Sequence, residues 1–553
     1  MSFLDDIFAE LESTDKRVLW EAYDPKSTKG VLGWGLTGRG LLKQISQARA
    51  FLSGKNLKCG DRVALLASNS IDWVAADLAI MSEGLIVVPL YSRQAAAELV
   101  AMMKDCSPSL IICGDRALRD GIIQNWPGAP EQVLFEDVFR AGSSRAMTPA
   151  PHNDSDPVAI IYTSGTSGEA KGVILSAGNI GYMLARTSGS LDQLMRGASG
   201  QDKVFHYLPF CFAGSWIMLL TCLLRGNRLT INTDLAKLAE QMRAAEADYF
   251  LNVPQLLERM RKAVDEQLWK TAGLPLAIYT RAKSGYTRAR EGKKTLSDSL
   301  WLTLANAIIF PAIRKKMIGG NLKALICGSA ALNVETQLFF MMIGIPVLQV
   351  YGLTETSAIC TMDVPDEFEP GRVGPAIEGI EMKLGENEEI LVRGPNIFPG
   401  YWNRPTETEK ALRDGWFHTG DQGEVNAAGN WRITGRIKNL IILGSGHNIA
   451  PEAIEEEIAT RLPGAQVVLV GNGRSYLSAI LTGDVRAEQV QAALDDVNLT
   501  LPHYKQVRVY RISAEPFSIE NGLLTANGKL KRDAIAQRFR IEVEDMYAVK
   551  QAV

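Results

Sequence analysis

The sequence predicts an α/β protein with a large N-terminal domain and a small C-terminal domain. Apolar runs of strand length alternate with amphipathic helical stretches for most of the 553 residues, which is the pattern of sheets covered by helices. Around Glu378–Val392 the pattern changes to short strands with Gly-rich turns, which indicates a β-rich subdomain. A second series of strands and helices begins after Gly435, so we place the domain boundary at Lys438, with domains 1–437 and 438–553.

Each predicted element rests on its own local pattern. Short runs of apolar, partly β-branched residues predict strands at Arg62–Ala67, Ser109–Cys113, Val158–Tyr162 and Lys323–Cys327. Apolar residues at helical spacing predict helices at Leu41–Leu52, Trp73–Ser82 and Leu235–Ala244. Pro451 stands just ahead of an acidic stretch, and proline is favoured where helices begin. We therefore predict a further helix over Glu452–Arg461.

Composition excludes several classes of protein. A net charge of −3 and a sequence pI of about 6.1 give no basic field for a nucleic acid. The seven cysteines are dispersed without a C-x-x-C pair, which predicts free buried thiols in a reducing compartment. The acidic N-terminus is unlike a secretory signal. No apolar run reaches the ~20 residues of a membrane span, and Trp216–Leu224, which comes nearest, predicts a core helix. We expect a cytoplasmic protein.

The strongest single motif is a run of small residues that follows a predicted strand. Tyr162-Thr-Ser-Gly-Thr-Ser-Gly-Glu-Ala-Lys-Gly172 contains glycines, hydroxyls and one lysine. Glycines let backbone N–H groups converge on phosphate oxygens, the hydroxyls add donors, and Lys171 neutralises charge. A generic surface loop would not need the strand, the loop length and the lysine together. We therefore interpret this segment as a phosphate-binding loop.

Two other nucleotide motifs are rejected. The loop is not a Walker A motif, because Glu169-Ala170-Lys171 follows Gly168 where that motif needs G-K-[ST]. Gly33-Trp-Gly-Leu-Thr-Gly38 matches the dinucleotide fingerprint, yet a turn-like stretch precedes it and no acidic residue lies about 20 positions on. We expect Thr37 to cap the helix at Leu41–Leu52 instead.

Further motifs in the same order make the chain resemble the adenylate-forming (AMP-binding) superfamily, which includes acyl-CoA synthetases. They are Tyr351-Gly-Leu-Thr-Glu-Thr356, Gly415-Trp-Phe-His-Thr-Gly-Asp421, Gly435-Arg-Ile-Lys438 and Thr525-Ala-Asn-Gly-Lys529. Each piece alone could be a turn. Their joint order carries the specificity. The resemblance implies two α/β sheet subdomains and a small β-barrel-like subdomain in the N-terminal domain, followed by a mobile α+β C-terminal domain.

The resemblance also implies the cofactors ATP, Mg²⁺ and CoA, and it assigns roles to residues. The catalytic set is Lys529, Lys171, Thr354 and Glu355, with Thr166 and Glu355 as the Mg²⁺ ligands. Nucleotide contacts come from Thr163, Ser164, Gly165, Thr166, Ser167, Gly168, Gly328, Ser329, Ala330, Tyr351, Gly352, Asp421 and Arg436. Lys438 is the hinge, and Gly446 lines the CoA path. Cations and donors suit a reaction that brings a carboxylate to a phosphate, so no base is required.

Three segments favour the long-chain acyl-CoA branch of this family. The stretch from Phe310 into Gly328-Ser-Ala-Ala-Leu332 resembles the long-chain enzymes, although Ser329 and Ala331 replace the usual Gly and Pro. The loop Lys438–Pro451 has the long-chain length. Leu208-Pro-Phe-Cys-Phe-Ala-Gly-Ser-Trp216 places Phe212 and Trp216 where an acyl tunnel and its gate would lie. A core role for Trp216 is an equal alternative.

Several functions stay open on the sequence alone. A fatty acyl-AMP ligase that loads an acyl carrier protein is the main alternative, but the inserted segment typical of that branch is not found. A non-catalytic relative should have lost Lys171, Glu355 or Lys529, and all three are present. A luciferase-type oxygenase shares the motifs and is disfavoured only by its rarity. The apolar and then basic segment Trp301–Met317 suits a peripheral membrane contact, although a half-buried helix with a solvated edge is the favoured interpretation.

Overall fold

The computed structural model describes residues 2–21, 34–140, 148–163, 170–196, 198, 200–320, 322–525 and 528–548. These residues form two compact units. The first comprises the described residues of 1–163, 170–381 and 392–417, and the second those of 382–391 and 418–553.

The strands are numbered in chain order. They are β1 (Arg17–Glu21), β2 (Gly35–Thr37), β3 (Arg62–Leu66), β4 (Ile86–Leu90), β5 (Leu110–Cys113), β6 (Gln132–Leu134), β7 (Pro157–Thr163), β8 (Lys171–Ser176), β9 (Lys203–His206), β10 (Arg228–Ile231), β11 (Tyr249–Asn252), β12 (Ala324–Cys327), β13 (Val347–Tyr351), β14 (Thr361–Met362), β15 (Glu381–Leu384), β16 (Glu389–Arg393), β17 (Leu412–Arg413), β18 (Trp416–Val425), β19 (Trp431–Arg436), β20 (Ile441–Ile442), β21 (Asn448–Ile449), β22 (Gln466–Val470), β23 (Leu477–Thr482) and β24 (Val507–Ser513).

The α-helices follow the same numbering. They are α1 (Phe3–Ser13), α2 (Gly38–Ser53), α3 (Ile71–Ser82), α4 (Ala96–Cys106), α5 (Arg116–Asn125), α6 (Phe135–Val138), α7 (Ala177–Met195), α8 (Ala213–Leu224), α9 (Leu238–Ala245), α10 (Pro254–Thr271), α11 (Gly273–Arg290), α12 (Leu296–Leu304), α13 (Phe310–Ile318), α14 (Val334–Met342), α15 (Pro405–Ala411), α16 (Glu452–Arg461), α17 (Ala487–Thr500), α18 (Arg532–Arg538) and α19 (Arg540–Ala548). A π-helical turn, Ala305–Ile309, joins α12 to α13, and 3-10 turns lie at Leu235–Lys237, Thr354–Thr356, Glu386–Glu388, Ile437–Asn439 and His503–Lys505.

Two mostly parallel sheets form the framework of the first unit. The six-stranded sheet has the order β6-β5-β3-β4-β7-β8, and only β8 runs antiparallel to its neighbour. The eight-stranded sheet has the order β14-β13-β12-β11-β9-β10-β1-β2, with antiparallel strands only at its two edges. Strands buried on both faces by helices read as continuous apolar runs. The sequence shows such runs at β3, β5, β7 and β12.

Smaller sheets complete the fold. A five-stranded sheet has the order β15-β16-β18-β17, with β19 paired to β18. In the second unit a three-stranded sheet, β22-β23-β24, packs with α16 and α17 around a buried core that includes Ile458, Leu477 and Val490. The predicted α/β class, with two sheet subdomains, a β-rich part and a smaller C-terminal α+β part, is confirmed.

Several local predictions are confirmed residue by residue. The helix predicted after Pro451 is α16, with the predicted bounds. Thr37 caps α2, and its hydroxyl accepts a hydrogen bond from the Gly40 N–H. All seven cysteines are free and six are buried, but Cys59 is exposed.

The expectation that no apolar segment reaches membrane-span length is wrong for the described residues. Leu296–Ile318 forms a 23-residue helical stretch that is long and apolar enough to cross a bilayer. The apolar segment recognised in the sequence was Trp301–Met317, whereas the helical stretch begins five residues earlier, at Leu296, after the Thr295 cap.

Candidate active site

Two predicted nucleotide loops leave neighbouring parallel strands at the same edge of the eight-stranded sheet. Cys327 at the end of β12 pairs with Gln349 of β13, so the segments that start at Gly328 and Gly352 emerge side by side. Ligands bind at the carboxyl edge of such sheets. The topology therefore brings together residues that lie more than twenty positions apart in the sequence.

At two positions in these loops, neighbouring atoms lie so close that only glycine fits without a rearrangement. A Cβ atom on Gly352 would lie 2.2 Å from the Ala358 carbonyl oxygen, and one on Gly328 would lie 2.7 Å from a Val350 methyl carbon. Ser329, in contrast, has a left-handed φ of 72°, a backbone conformation that residues other than glycine rarely adopt. Serine at this position therefore carries local backbone strain. Ser329 and Ala330 are both exposed, as expected for residues beside a ligand.

Glu355 lies in a short 3-10 turn that is fixed from the opposite side by residues 396–398. The Phe398 N–H donates to the Glu355 carbonyl at 3.0 Å. The Ser357 hydroxyl donates to the Asn396 carbonyl at 2.7 Å, and the Asn396 amide donates to the Thr356 carbonyl at 3.2 Å. These bonds hold the turn while leaving the Glu355 side chain only half-buried.

Tyr401, which is not among the predicted site residues, connects Glu355 to Lys171. Its hydroxyl donates to Glu355 Oε1 at 2.8 Å, and the Lys171 Nζ lies 5.1 Å from the centre of its ring. That distance is within the range of a cation–π interaction. Burial, together with the negative charge of Glu355, raises the pKa of Tyr401, so the phenol keeps its proton and remains a donor.

Backbone hydrogen bonds of β8 hold Lys171 and Tyr401 beside each other. Lys171 is the first residue of β8 and pairs with Thr163 at the end of β7. Val173 forms an antiparallel bridge with Tyr401, and the Trp402 N–H donates to the Gly172 carbonyl at 2.8 Å. The predicted strand before the phosphate loop is thus present. The loop residues themselves, Ser164, Gly165, Thr166, Ser167 and Gly168, lie outside the described residues.

In the second unit, Asp421 and Arg436 face each other across two antiparallel strands. They are direct partners in the β18–β19 register, and Arg436 Nε lies 2.7 Å from Asp421 Oδ1. Asp421 is buried and Arg436 half-buried. The pair predicted to contact the ribose is therefore held in one place by the hairpin.

Through its backbone, Lys529 forms two hydrogen bonds with Thr525 in the second unit. The Thr525 N–H donates to the Lys529 carbonyl at 2.8 Å, and the Lys529 N–H donates to the Thr525 hydroxyl at 3.1 Å. Lys529 keeps an exposed surface, yet the protein around it excludes enough water to lower its pKa. Arg436 lowers that pKa further, while Asp421 opposes the shift. The predicted ribose and carboxylate residues of this unit therefore interact electrostatically.

The predicted hinge and CoA residues are both exposed. Lys438 lies in the 3-10 turn after β19. Gly446 lies in the loop between β20 and β21, with φ of 83° and no atom within 4 Å of a Cβ built on it. Beside it the His447 ring stacks on Tyr504, with ring centroids 4.3 Å apart. The loop is therefore open to solvent at Gly446, and the Cβ atom of a larger residue at this position would not clash with the protein.

The two predicted acyl residues occupy different environments. Phe212 is half-buried at the start of α8, with its ring 5.7 Å from that of Tyr91. Trp216 has no exposed surface, and its indole N–H donates to Asp77 Oδ2 at 3.0 Å. Burial raises the pKa of Asp77 to about 7. The surroundings of Trp216 are those of a core tryptophan with a polar partner.

Comparison with known proteins matches this arrangement to one family. Residues 23–402 match the family model described as AMP-binding enzyme, and residues 438–551 match the AMP-binding enzyme C-terminal domain. The chain belongs to the AMP-binding enzyme family. The resemblance inferred from the ordered motifs is thus confirmed.

Relatives and solved structures agree with this assignment. The chain is 25% identical to the long-chain-fatty-acid–CoA ligase of Mycobacterium bovis over 91% of each chain. It is 27% identical to long-chain-fatty-acid–CoA ligase 5 of Rattus norvegicus, over 91% of this chain and 84% of that protein. The fold matches ATP-bound MatB from Rhodopseudomonas palustris with a TM-score of 0.73 and 25% identity, covering 98% and 99% of the two chains.

Proposed function

We propose that this AMP-binding enzyme is an acid–CoA ligase that activates a medium- to long-chain fatty acid through an acyl-AMP intermediate. The observation that carries the proposal is the Lys171–Tyr401–Glu355 arrangement. It connects the lysine after the phosphate loop to the carboxylate expected to bind the metal. The names of the relatives support a fatty acid as the substrate and CoA as the acceptor.

The donor set around Glu355 fits Mg²⁺ in a nucleotide site. No group of three or more His, Cys, Asp or Glu side chains that could hold a metal occurs among the described residues. Mg²⁺ bound with a nucleotide needs no such group, because it uses one or two carboxylates with phosphate oxygens and water. A single half-buried carboxylate on a fixed turn meets that need. When bound, Mg²⁺ would offset the phosphate charge beside Glu355.

The proposed reaction has two steps. An oxygen of the fatty acid carboxylate attacks the α-phosphorus of ATP, and the bond to the β-phosphate oxygen breaks, which releases pyrophosphate. The CoA thiol then attacks the acyl carbon, its proton is lost, and AMP leaves with the carboxylate oxygen. We propose that Lys171 neutralises phosphate charge in the first step, Thr354 contacts the α-phosphate, and Lys529 holds the carboxylate against it.

We assign the remaining predicted residues within the same scheme. Tyr351 and the Gly328–Ala330 loop flank the adenine ring. The Asp421–Arg436 pair contacts the ribose hydroxyls. Residues 438–553 form the mobile C-terminal domain, with Lys438 as its hinge and Gly446 on the CoA path. A cytoplasmic location with peripheral membrane contact completes the proposal.

Product analysis tests this function. With palmitate, ATP and Mg²⁺ we expect AMP and pyrophosphate, and with CoA added we expect palmitoyl-CoA in equal amount. A panel of acids from acetate to palmitate defines the preferred chain length. Formation of ADP and phosphate contradicts the proposal. Acyl transfer to an acyl carrier protein but not to CoA would instead identify the protein as an acyl-AMP ligase.

A further inference from the structure

The helices α10 to α13 expose an unusual number of large apolar side chains. They lie between β11 and β12 and cover residues 254–318. Among the described residues, five of the most exposed large apolar side chains fall in this stretch: Trp269 (67%), Leu274 (69%), Leu296 (92%), Leu300 (66%) and Ile308 (57%). Concentrated apolar exposure of this kind marks an interaction surface. We call these five residues the 254–318 surface.

These side chains are arranged along a helical hairpin. Arg288 forms an ion pair with Asp298, and the Arg281 guanidinium lies 4.5 Å from the centre of the Trp301 ring. These two pairs show that α11 and α12 run antiparallel. Leu296 and Leu300 are four residues apart and lie on one side of α12. Ile308 lies towards the opposite end of the hairpin, where α11 begins, and Trp269 and Leu274 flank that beginning.

The helical stretch from Leu296 to Ile318 is too exposed for a core helix, yet it is also fixed in the protein. Of the 18 consecutive residues that are the most apolar part of this stretch, only 22% are buried. However, Ile309, Phe310, Ile313 and Met317 belong to the buried core beneath the eight-stranded sheet. Crossing a bilayer would pull these residues out of that core. The helix can therefore lie on a bilayer while α13 stays in the fold.

The same helices carry a strong positive charge. Residues 254–318 contain thirteen Lys and Arg against five Asp and Glu, a net charge of +8 in a chain whose net charge is −3. Ten of the basic residues are exposed, against two of the acidic ones. Lys293 and Lys294 lie in the connection between α11 and α12, three and two residues before Leu296. Basic residues beside exposed apolar ones are the pattern of a helix that binds an anionic lipid surface.

We propose that the 254–318 surface docks this protein on an anionic lipid bilayer, with the helical hairpin lying in the plane of the headgroups. The proposal deepens the proposed function and rests on it for its purpose, because fatty acids partition into bilayers and docking would place the enzyme where its substrate is concentrated. The physical interaction does not depend on catalysis. It is therefore measured without ATP or fatty acid.

Vesicle sedimentation with the full chain tests the proposal. We expect binding to phosphatidylcholine vesicles containing phosphatidylglycerol, weakening at high salt, and little binding to phosphatidylcholine alone. Leu296→Ser with Leu300→Ser should reduce partitioning about tenfold or more, because two side chains lose apolar contact. Lys293→Glu with Lys294→Glu should reduce it by at least about fivefold per lysine. Leu499→Ser, on a side chain 86% exposed elsewhere, should bind like the unmodified protein.

Two readouts keep failure of docking distinct from failure of the proposed function. Each variant should retain its melting temperature and its rate with a water-soluble, medium-chain acid, since none of the substituted residues is in the proposed site. Equal binding to neutral and anionic vesicles, or unchanged binding of both double variants, would overturn the proposal. So would self-association without vesicles that the same variants abolish, because the surface would then join two copies of the chain.

Discussion

The Tyr401 hydroxyl donates a 2.8 Å hydrogen bond to the Glu355 carboxylate, while the face of the same ring lies 5.1 Å from Lys171 Nζ. One aromatic side chain thus positions both an acidic and a basic group of the proposed site. Glu355 is held on its backbone side by Phe398, three residues before Tyr401. The segment 398–401 is therefore a support for the proposed metal-binding carboxylate.

Removal of the Tyr401 hydroxyl should impair the metal-dependent step. Tyr401→Phe keeps the ring beside Lys171 but loses the bond to Glu355, and a hydrogen bond to a charged group contributes about 1.5–3 kcal/mol. We expect adenylation at limiting Mg²⁺ to fall roughly tenfold or more, with partial recovery at high Mg²⁺. Glu355→Gln is the reference, with a loss of about 10²-fold. An unchanged Mg²⁺ dependence in a folded Tyr401→Phe protein would refute the positioning role.

Truncation of Trp216 distinguishes a core residue from a gate. Because its side chain is fully buried and bonded to Asp77, we expect Trp216→Ala to lower the free energy of unfolding by about 3–5 kcal/mol. Activities with short and long acids should then fall together. Phe212→Ala, at a half-buried position, is the comparison. A changed chain-length preference without loss of melting temperature would establish Trp216 as part of the acyl tunnel.

The buried Asp77 carboxyl should make stability depend on pH. Its pKa is raised from 3.8 to about 7 by burial, so the folded state binds its proton more tightly than the unfolded state does. Its contribution to stability is present below pH 4 and is lost as the pH rises through 7. Asp77→Asn keeps an acceptor for Trp216 without this titration. Denaturant unfolding of both proteins between pH 4 and 8 should show a difference that changes by up to about 4 kcal/mol.

A constant difference across that range would show that Asp77 does not titrate there. The comparison between the two proteins removes the contribution of His206, whose pKa burial lowers to about 4. That histidine acts in the opposite direction, since it favours folding at higher pH. A direct measurement on the unmodified protein alone would mix the two effects.

Lys529 and Gly446 should separate the two half-reactions. Lys529→Ala removes a charge needed only until acyl-AMP exists, so adenylation should fall about 10²–10³-fold while thioester formation from supplied acyl-AMP survives. Gly446→Trp should do the reverse by blocking the CoA path. Gly446→Ala is the matched control, because φ of 83° strains both variants but only tryptophan adds bulk. Equal loss of both half-reactions in both folded proteins would contradict the proposed division of roles.

The sequence predicted elements whose causes are local. The helix after Pro451 and the Thr37 cap depend on residues within a few positions, and both are confirmed. Tyr401 was missed because its importance arises from contacts with Glu355, 46 positions away, and with Lys171. In the sequence, Tyr401 is one aromatic residue after Gly400, and nothing in this local pattern indicates contacts with such distant residues. The burial of Trp216 was equally hidden, since an apolar helix can face either a core or a tunnel.

The length of the exposed helix at 296–318 was hidden for a different reason. The apolar segment recognised in the sequence was Trp301–Met317, and the Thr295 cap that begins the helix at Leu296 was not identified. Exposure depends on which faces the tertiary fold covers. The basic charge of residues 254–318, in contrast, can be read from the sequence, but its meaning became clear only beside the exposed apolar residues.

The path of one carboxylate oxygen tests the central claim most directly. The fatty acid is labelled with the heavy oxygen isotope in its carboxylate and converted with ATP and CoA. If the carboxylate attacks the α-phosphorus and CoA then releases AMP, the AMP must carry one labelled oxygen and the pyrophosphate none. Phosphorus NMR and mass spectrometry of the products detect the label. Unlabelled AMP, or label in phosphate or pyrophosphate, would contradict an acyl-AMP intermediate.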